Sequence, residues 1–195
     1  MSEPHGRLGP LLVVVDMQHV FGDPGSPWTT PGFDEVIEPI ESLVAASGDR
    51  FIFTRFVLPD RIEGSWKPYY ETWADVTRPE RSGWFELVEP WGSRGPATLD
   101  EPRFSKWGPE LEALAGSERT LVLCGVATDC CVVATAIAAA DAGMFVRVVA
   151  DACRGIDEAA HARAIELMAG FVPHIEITSV DEELKGHSLD ANRTA

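Results

Sequence analysis

Apolar residues along this chain gather into short unbroken runs, separated by stretches whose apolar positions recur at helical spacing. The runs are LLVVVD (11–16), RFIFTR (50–55), RTLVLCG (119–125), FVRVVAD (145–151) and HIEITS (174–179). A strand with one wet face alternates between apolar and polar residues, whereas a strand covered on both faces reads as a continuous apolar run. These runs therefore predict buried parallel strands. Helical patterns at 34–47, 129–142 and 157–169 supply the crossovers that parallel strands need. The alternation predicts an α/β fold, a three-layer sandwich with a central, mostly parallel sheet flanked by helices, built as one domain over 1–195.

The middle of the chain, about 57–103, breaks the pattern. Pro59, Pro68, Pro79, Pro90, Pro96 and Pro102 punctuate it, with Trp66, Tyr69, Tyr70, Trp73, Trp84 and Trp91 set among charges. Prolines this frequent forbid long regular elements, although ATLD (97–100) is short enough to form a third strand. Aromatics in such a segment either wall a ligand pocket or plug a core beneath loops. Trp28, Trp66, Tyr70, Trp73 and Trp107 are the candidates for a pocket wall, which would suit an apolar or aromatic substrate.

Composition narrows the partners. Against 16 basic residues stand 31 acidic ones, a net charge of -15, so the surface repels phosphate backbones and anionic lipid. Neither nucleic acid nor membrane is an expected partner. The opening MSEPHGRLGP is polar, and the apolar runs fall far short of the ~20 residues that span a bilayer. A cytoplasmic protein is expected. Cys124, Cys130, Cys131 and Cys153 include no CxxC pair and do not form the dense framework of a small secreted domain, so reduced thiols are expected.

In open α/β sheets, ligands bind beyond the carboxyl ends of the strands, where the strand order reverses. That draws attention to Asp16 after the first strand, to the turn after 97–100, and to GVATDCC (125–131). A helix starting at about Asp129 places Cys130 and Cys131 in its first turn, where unpaired N–H groups favour thiolate over thiol. Adjacent helical positions point about 100° apart, so at most one thiol is expected to share a site with Asp16. The spacing alone does not choose between them.

Taken together, VVVDMQ (13–18), FTR (53–55), FSKW (104–107), LVLCGVATDCCVVATA (121–136) and VRVVADAC (146–153) resemble the isochorismatase-like cysteine hydrolase superfamily, in the family's order and over nearly the whole chain. The resemblance implies that Cys131, directly before valine in the T-D-x-C-V pattern, is the nucleophile and that Cys130 holds a variable position. It implies Asp16 as proton acceptor. It also implies an oxyanion site made by the backbone N–H groups of Ala127 and Cys131, beside a cis peptide between Val126 and Ala127.

One position departs from the family. Aligning EPRFSKW on the family's Ser-x-aromatic segment, with Ser105 and Trp107 as anchors, puts Glu101 where a catalytic lysine is expected. Two unit charges ~5 Å apart at an effective dielectric near 20 interact by about 3 kcal/mol, so a reversed sign changes the site's protonation. Three resolutions are open: Lys106 bends back into the site, a protonated Glu101 serves as hydrogen-bond donor, or the fold persists without hydrolysis.

Nicotinamidase members of the family hold a metal with an Asp-x-His arrangement after the second strand. TRFVLPD (54–60) has no histidine, and His5, His19, His161, His174 and His187 show no ligand spacing. No cofactor or metal is expected, and His161 is placed outside the site. The function implied is a cysteine hydrolase cleaving a C–N bond of a small amide, carbamoyl or imide. Isochorismatase-type vinyl ether hydrolysis and a catalytically impaired binding protein are the alternatives. Assembly into a homo-oligomer, a dimer or tetramer, follows from the resemblance.

Overall fold

The structure, a computed structural model, describes residues 9–191, with side chains described through residue 186. The polar stretch 1–8, which includes His5, and the side chain of His187 lie outside the described residues.

The apolar runs become strands: β1 (Leu11–Val15), β2 (Phe51–Phe56), β3 (Thr98–Glu101), β4 (Thr120–Val126), β5 (Phe145–Arg154) and β6 (Ile175–Thr178). They form one sheet in the order β3-β2-β1-β4-β5-β6, every neighbouring pair parallel. All five residues of β1 are buried, as its position in mid-sheet under helices on both faces requires. Burying each such Val or Leu contributes about 1.5–3 kcal/mol.

Helices fill the connections: α1 (His19–Gly22), α2 (Ile37–Ala46), α3 (Trp66–Thr72), α4 (Trp91–Arg94), α5 (Pro109–Ala115), α6 (Val133–Asp141), α7 (Glu158–Ala169) and α8 (Val180–Ala191). Helix α2 packs with α8, and α6 with α7. Among the described residues, no helix is long and apolar enough to cross a membrane.

The proline-rich segment forms only short pieces, α3, 3₁₀ turns at Ala74–Thr77 and Pro79–Phe85, and α4. Pro68 is accommodated because it sits in the first turn of α3, where N–H groups have no intrahelical partner. Gln18 ties this segment to the sheet. Its amide donates to the carbonyls of Phe56 (2.9 Å) and Phe85 (2.6 Å) and accepts from the Phe56 N–H (2.8 Å).

Strand β1 pairs with β2 on one side and β4 on the other, so the order reverses there. A crevice opens at such a reversal, and the residues following β1 and β4 face one another across it. Gly125 permits the approach. Its φ is 108°, and a Cβ would stand 2.2 Å from the Val15 carbonyl oxygen, closer than any side chain tolerates.

Candidate active site

Asp16 follows β1 with φ 51°, in the left-handed region that costs a non-glycine residue of order 1–3 kcal/mol. Neighbouring bonds hold it there. Its N–H donates to Thr54 Oγ1 (3.2 Å), and the same hydroxyl donates to Asp16 Oδ1 (2.7 Å). The other carboxylate oxygen, Oδ2, lies 2.9 Å from Lys106 Nζ, and both side chains are 0% exposed.

Lys106 therefore resolves the departure found in the sequence. It comes from the loop after β3, and its ammonium also donates to the Arg103 carbonyl (3.0 Å) and sits 5.0 Å from the centre of the Phe56 ring. A buried ion costs several kcal/mol in lost hydration, so an ammonium here needs this full set of partners. The loop is fastened from above as well. Lys106 N–H donates to Thr135 Oγ1 (2.9 Å), which donates in turn to the Cys131 carbonyl (2.7 Å). One hydroxyl thus couples the lysine loop to the cysteine turn.

Glu101, entered in the sequence reading as a site carboxylate, is turned to other work. Its Oε2 accepts from Arg103 Nη2 (2.8 Å) and Nε (3.1 Å). The anchors Ser105 and Trp107 fix the loop but not which residue within it projects inward, and the fifth residue after Glu101 supplies the cation instead.

The peptide between Val126 and Ala127 is cis, as the resemblance implies. The helix expected from Asp129 begins instead with a π turn over Thr128–Val132, closed by Val132 N–H donating to the Ala127 carbonyl (3.2 Å), and α6 starts at Val133. A π turn is wider than an α turn, so successive residues diverge by less than 100°. The charges of Asp16 and Lys106 act on both thiols.

Cys131 is 3% exposed, and Cys130 is more open. Interaction between the two side chains lowers the Cys130 thiol from its ordinary value and raises that of Cys131, with burial and Asp16 adding to the rise. The direction of the shift keeps Cys131 in the thiol form at rest. Burial chiefly, and the two cysteines further, push the Tyr69 hydroxyl above its ordinary value.

Neighbouring turns brace the cysteines. Asp129 Oδ1 accepts the Ile156 N–H (2.9 Å), and Thr128 Oγ1 meets His161 Nδ1 (2.9 Å). His161 accordingly supports the turn from behind.

The aromatic candidates divide. Trp28 packs on Phe56 (5.6 Å between ring centres) and Tyr69 (5.8 Å), and Trp66 on Phe104 (4.9 Å) and Tyr69 (5.2 Å). Phe56, beneath the Lys106 ammonium, links this cluster to the ion pair. Tyr70 is 4% exposed and stacks on Trp66 (5.9 Å), and its neighbour Tyr69 is half-buried. Trp73, half-buried, ends α3, and half-buried Trp107 packs against the core beside Lys106. Thr54, Thr135, Tyr69, Phe56 and Phe104 were missed. The sequence signal for Tyr69 was its place among the aromatics of 57–103, and for the others it was membership of, or proximity to, FTR, FSKW and the alanine-rich helix.

The model of the isochorismatase domain matches residues 10–179. The chain belongs to the isochorismatase family. Among solved structures, this family member is similar to a cysteine hydrolase from Pseudomonas syringae pv. phaseolicola 1448A, with TM-score 0.80, 20% identity, and coverage of 96% of this chain and 99% of that one. It is similar to an isochorismatase-like hydrolase from Alkaliphilus metalliredigens (TM-score 0.73, 18% identity, 93% and 99% covered). It also resembles a pyrazinamidase/nicotinamidase from Streptococcus mutans (TM-score 0.68, 18% identity, 86% and 100% covered). At these identities the likeness establishes the fold. No curated protein matches the sequence.

The metal arrangement of the nicotinamidases does not fit this isochorismatase-family chain. Asp60, after β2, is exposed, and among the described residues no three His, Cys, Asp or Glu side chains gather to hold an ion. No step below is routed through a metal.

Proposed function

We propose that the protein is a cysteine hydrolase of a small molecule, cleaving a C–N bond of an amide, carbamoyl or imide group. The observation that carries this reading is the buried Lys106–Asp16 ion pair beside the thiol of Cys131. Asp16 accepts the Cys131 proton as sulfur attacks the carbonyl carbon. A thiol that stays protonated at rest and has a fixed carboxylate beside it suits transfer during attack rather than before it. Backbone N–H groups of Ala127 and Cys131 hold the oxyanion, and preorganised donors of this kind contribute about 3–4 kcal/mol to the barrier.

When the tetrahedral adduct collapses, the C–N bond breaks and nitrogen leaves with the proton held by Asp16. Water then gives a proton to Asp16 and attacks the thioester, releasing the acid and restoring the thiol. Lys106 keeps Asp16 oriented and compensates its charge. Trp28, Trp66, Tyr69 and Phe104 favour a flat apolar or aromatic group on the substrate.

Vinyl ether hydrolysis would need Asp16 to donate a proton and would leave the Cys131 thiol without a part in the reaction. The binding-protein reading rested on Glu101, whose carboxylate is paired with Arg103. Assembly of copies belongs to the proposal too. Ala134, Ile137 and Ala138 of α6 with Phe171 line an open groove of about 490 Å³, a face suited to a second subunit.

Ammonia release from a panel of small amides, ureides and imides tests the reading. Release by the wild type and none by Cys131→Ala is expected. Equal release by both proteins would remove Cys131 from the mechanism.

A further inference from the structure

A cavity of about 550 Å³ opens between the turn at 31–35, the end of β5 and the start of α7, with Glu35, Arg154, Glu158 and His161 among its walls. Sites for small molecules span about 300–1,000 Å³, so a molecule fits. The hydrolytic cycle uses neither Arg154 nor Glu35. The wall nevertheless touches the cysteine turn, because His161 Nδ1 meets Thr128 Oγ1 (2.9 Å) and the Ile156 N–H donates to Asp129 Oδ1 (2.9 Å).

Hydrogen bonds within the wall show which groups remain for a ligand. Arg154 donates through Nη1 to the Cys153 carbonyl (2.9 Å) and through Nη2 to Glu35 Oε2 (2.8 Å). A guanidinium carries more N–H groups than those two partners take up. Gly32 leaves it space, since a Cβ there would stand 3.1 Å from Arg154 Nε. Thr128 is 0% exposed, and a buried hydroxyl needs an acceptor for its proton. The hydroxyl therefore donates to His161 Nδ1. Burial first, and Arg154 second, hold this ring neutral, so its own proton sits on Nε2. On the acidic side, Asp157 Oδ1 is taken by the Ala160 N–H (2.6 Å). Glu35 has a second carboxylate oxygen beyond its bond to Arg154, and Glu158 lies exposed at the edge.

Charges of both signs select the occupant. A simple anion would be repelled by Glu35, Asp157 and Glu158, and a simple amine would leave the spare donors of Arg154 and His161 unanswered. A metal ion finds no three ligating side chains gathered among the described residues. We infer that this cavity binds a zwitterionic α-amino acid, its carboxylate on Arg154 and His161 and its ammonium on Glu35 and Glu158. The ligand replaces the Arg154–Glu35 contact by two ion pairs of its own, and it meets the cysteine turn only through His161 and Thr128.

Isothermal titration of the full chain tests this with L-alanine and L-lysine. Both are expected to bind. Propionate, which lacks the ammonium, and ethylamine, which lacks the carboxylate, should bind about 10-fold or more weakly, as the loss of a charge-assisted contact implies. Glu35→Gln and Arg154→Met should each weaken L-alanine by about the same factor, with thermal unfolding as the check on folding. Should Arg154→Met fail to fold, Glu35→Gln decides, its side chain being 67% exposed. Cys131→Ala should bind L-alanine as the wild type does. Absence of binding by both amino acids, equal binding of propionate or ethylamine, or wild-type affinity in Glu35→Gln would each overturn the inference. So would inorganic phosphate binding as tightly as L-alanine, the mark of a plain anion site, or loss of binding in Cys131→Ala, which would put the ligand in the hydrolase site.

Discussion

Lys106 Nζ stands 2.9 Å from Asp16 Oδ2, with both side chains sealed from solvent. Removing one member leaves the other charge buried and unpaired, which costs about 3–5 kcal/mol. Lys106→Met is expected to lose stability on that scale in urea unfolding. The double variant Asp16→Asn/Lys106→Met should recover a large part of it, since two neutral groups demand no counter-charge. A Lys106→Met cost under about 1 kcal/mol, the size of an exposed pair, would contradict the burial.

Glu101 makes the opposite case. Its pair with Arg103 lies at the rim, with the arginine side chain 54% exposed, and such pairs contribute about 0–1 kcal/mol. Glu101→Gln should leave both the unfolding midpoint and the rate of ammonia release close to wild type. A collapse of turnover would return Glu101 to the catalytic set.

Thr135 is a positioning residue, since its hydroxyl touches the backbone of Lys106 and of Cys131 rather than a reacting atom. Thr135→Val leaves a buried N–H and a buried carbonyl without this partner, at a cost of about 1–3 kcal/mol. It should lower kcat with little change in KM, and Thr135→Ser should restore both bonds and most of the rate. Equal rates in Val and Ser variants would reduce Thr135 to packing.

His161 gives the turn a dependence on pH. Burial first, and Arg154 second, push its pKa below the ordinary histidine value. The unfolded chain then takes up a proton that the folded chain refuses, so stability is fully present above the unfolded pKa of ~6.5 and falls as pH drops through and below it. Urea midpoints measured across that window should decline in the wild type and decline less in His161→Asn. Parallel profiles would show that His161 does not carry the effect.

Much of this was legible in the sequence, for reasons that also explain what was not. Continuous apolar runs such as 11–15 can only be strands covered on both faces, and five of them separated by helical spacing leave few alternatives to a parallel sheet. Asp16, Cys131 and the Val126–Ala127 bond lie in contiguous segments whose register is fixed by neighbours. Lys106 lies in a loop, where anchors two residues apart do not determine which side chain turns inward. Glu101 was placed at the site by alignment, and Arg103, two residues on, gives its carboxylate a partner that alignment does not show. The π turn at Thr128–Val132 was not anticipated, because i→i+5 bonding leaves no mark in the spacing of apolar residues. Tyr70 and Tyr69 are adjacent in a segment without strict periodicity, so sequence could not say which would be the more buried.

The most direct measurement is to acid-quench the enzyme during turnover of an activated amide or ester and to map the acyl group by fragmentation. The account predicts an adduct on Cys131 that is lost in Cys131→Ala and retained in Cys130→Ser. Acylation of Cys130, or turnover with no covalent adduct and undiminished in Cys131→Ala, would contradict it.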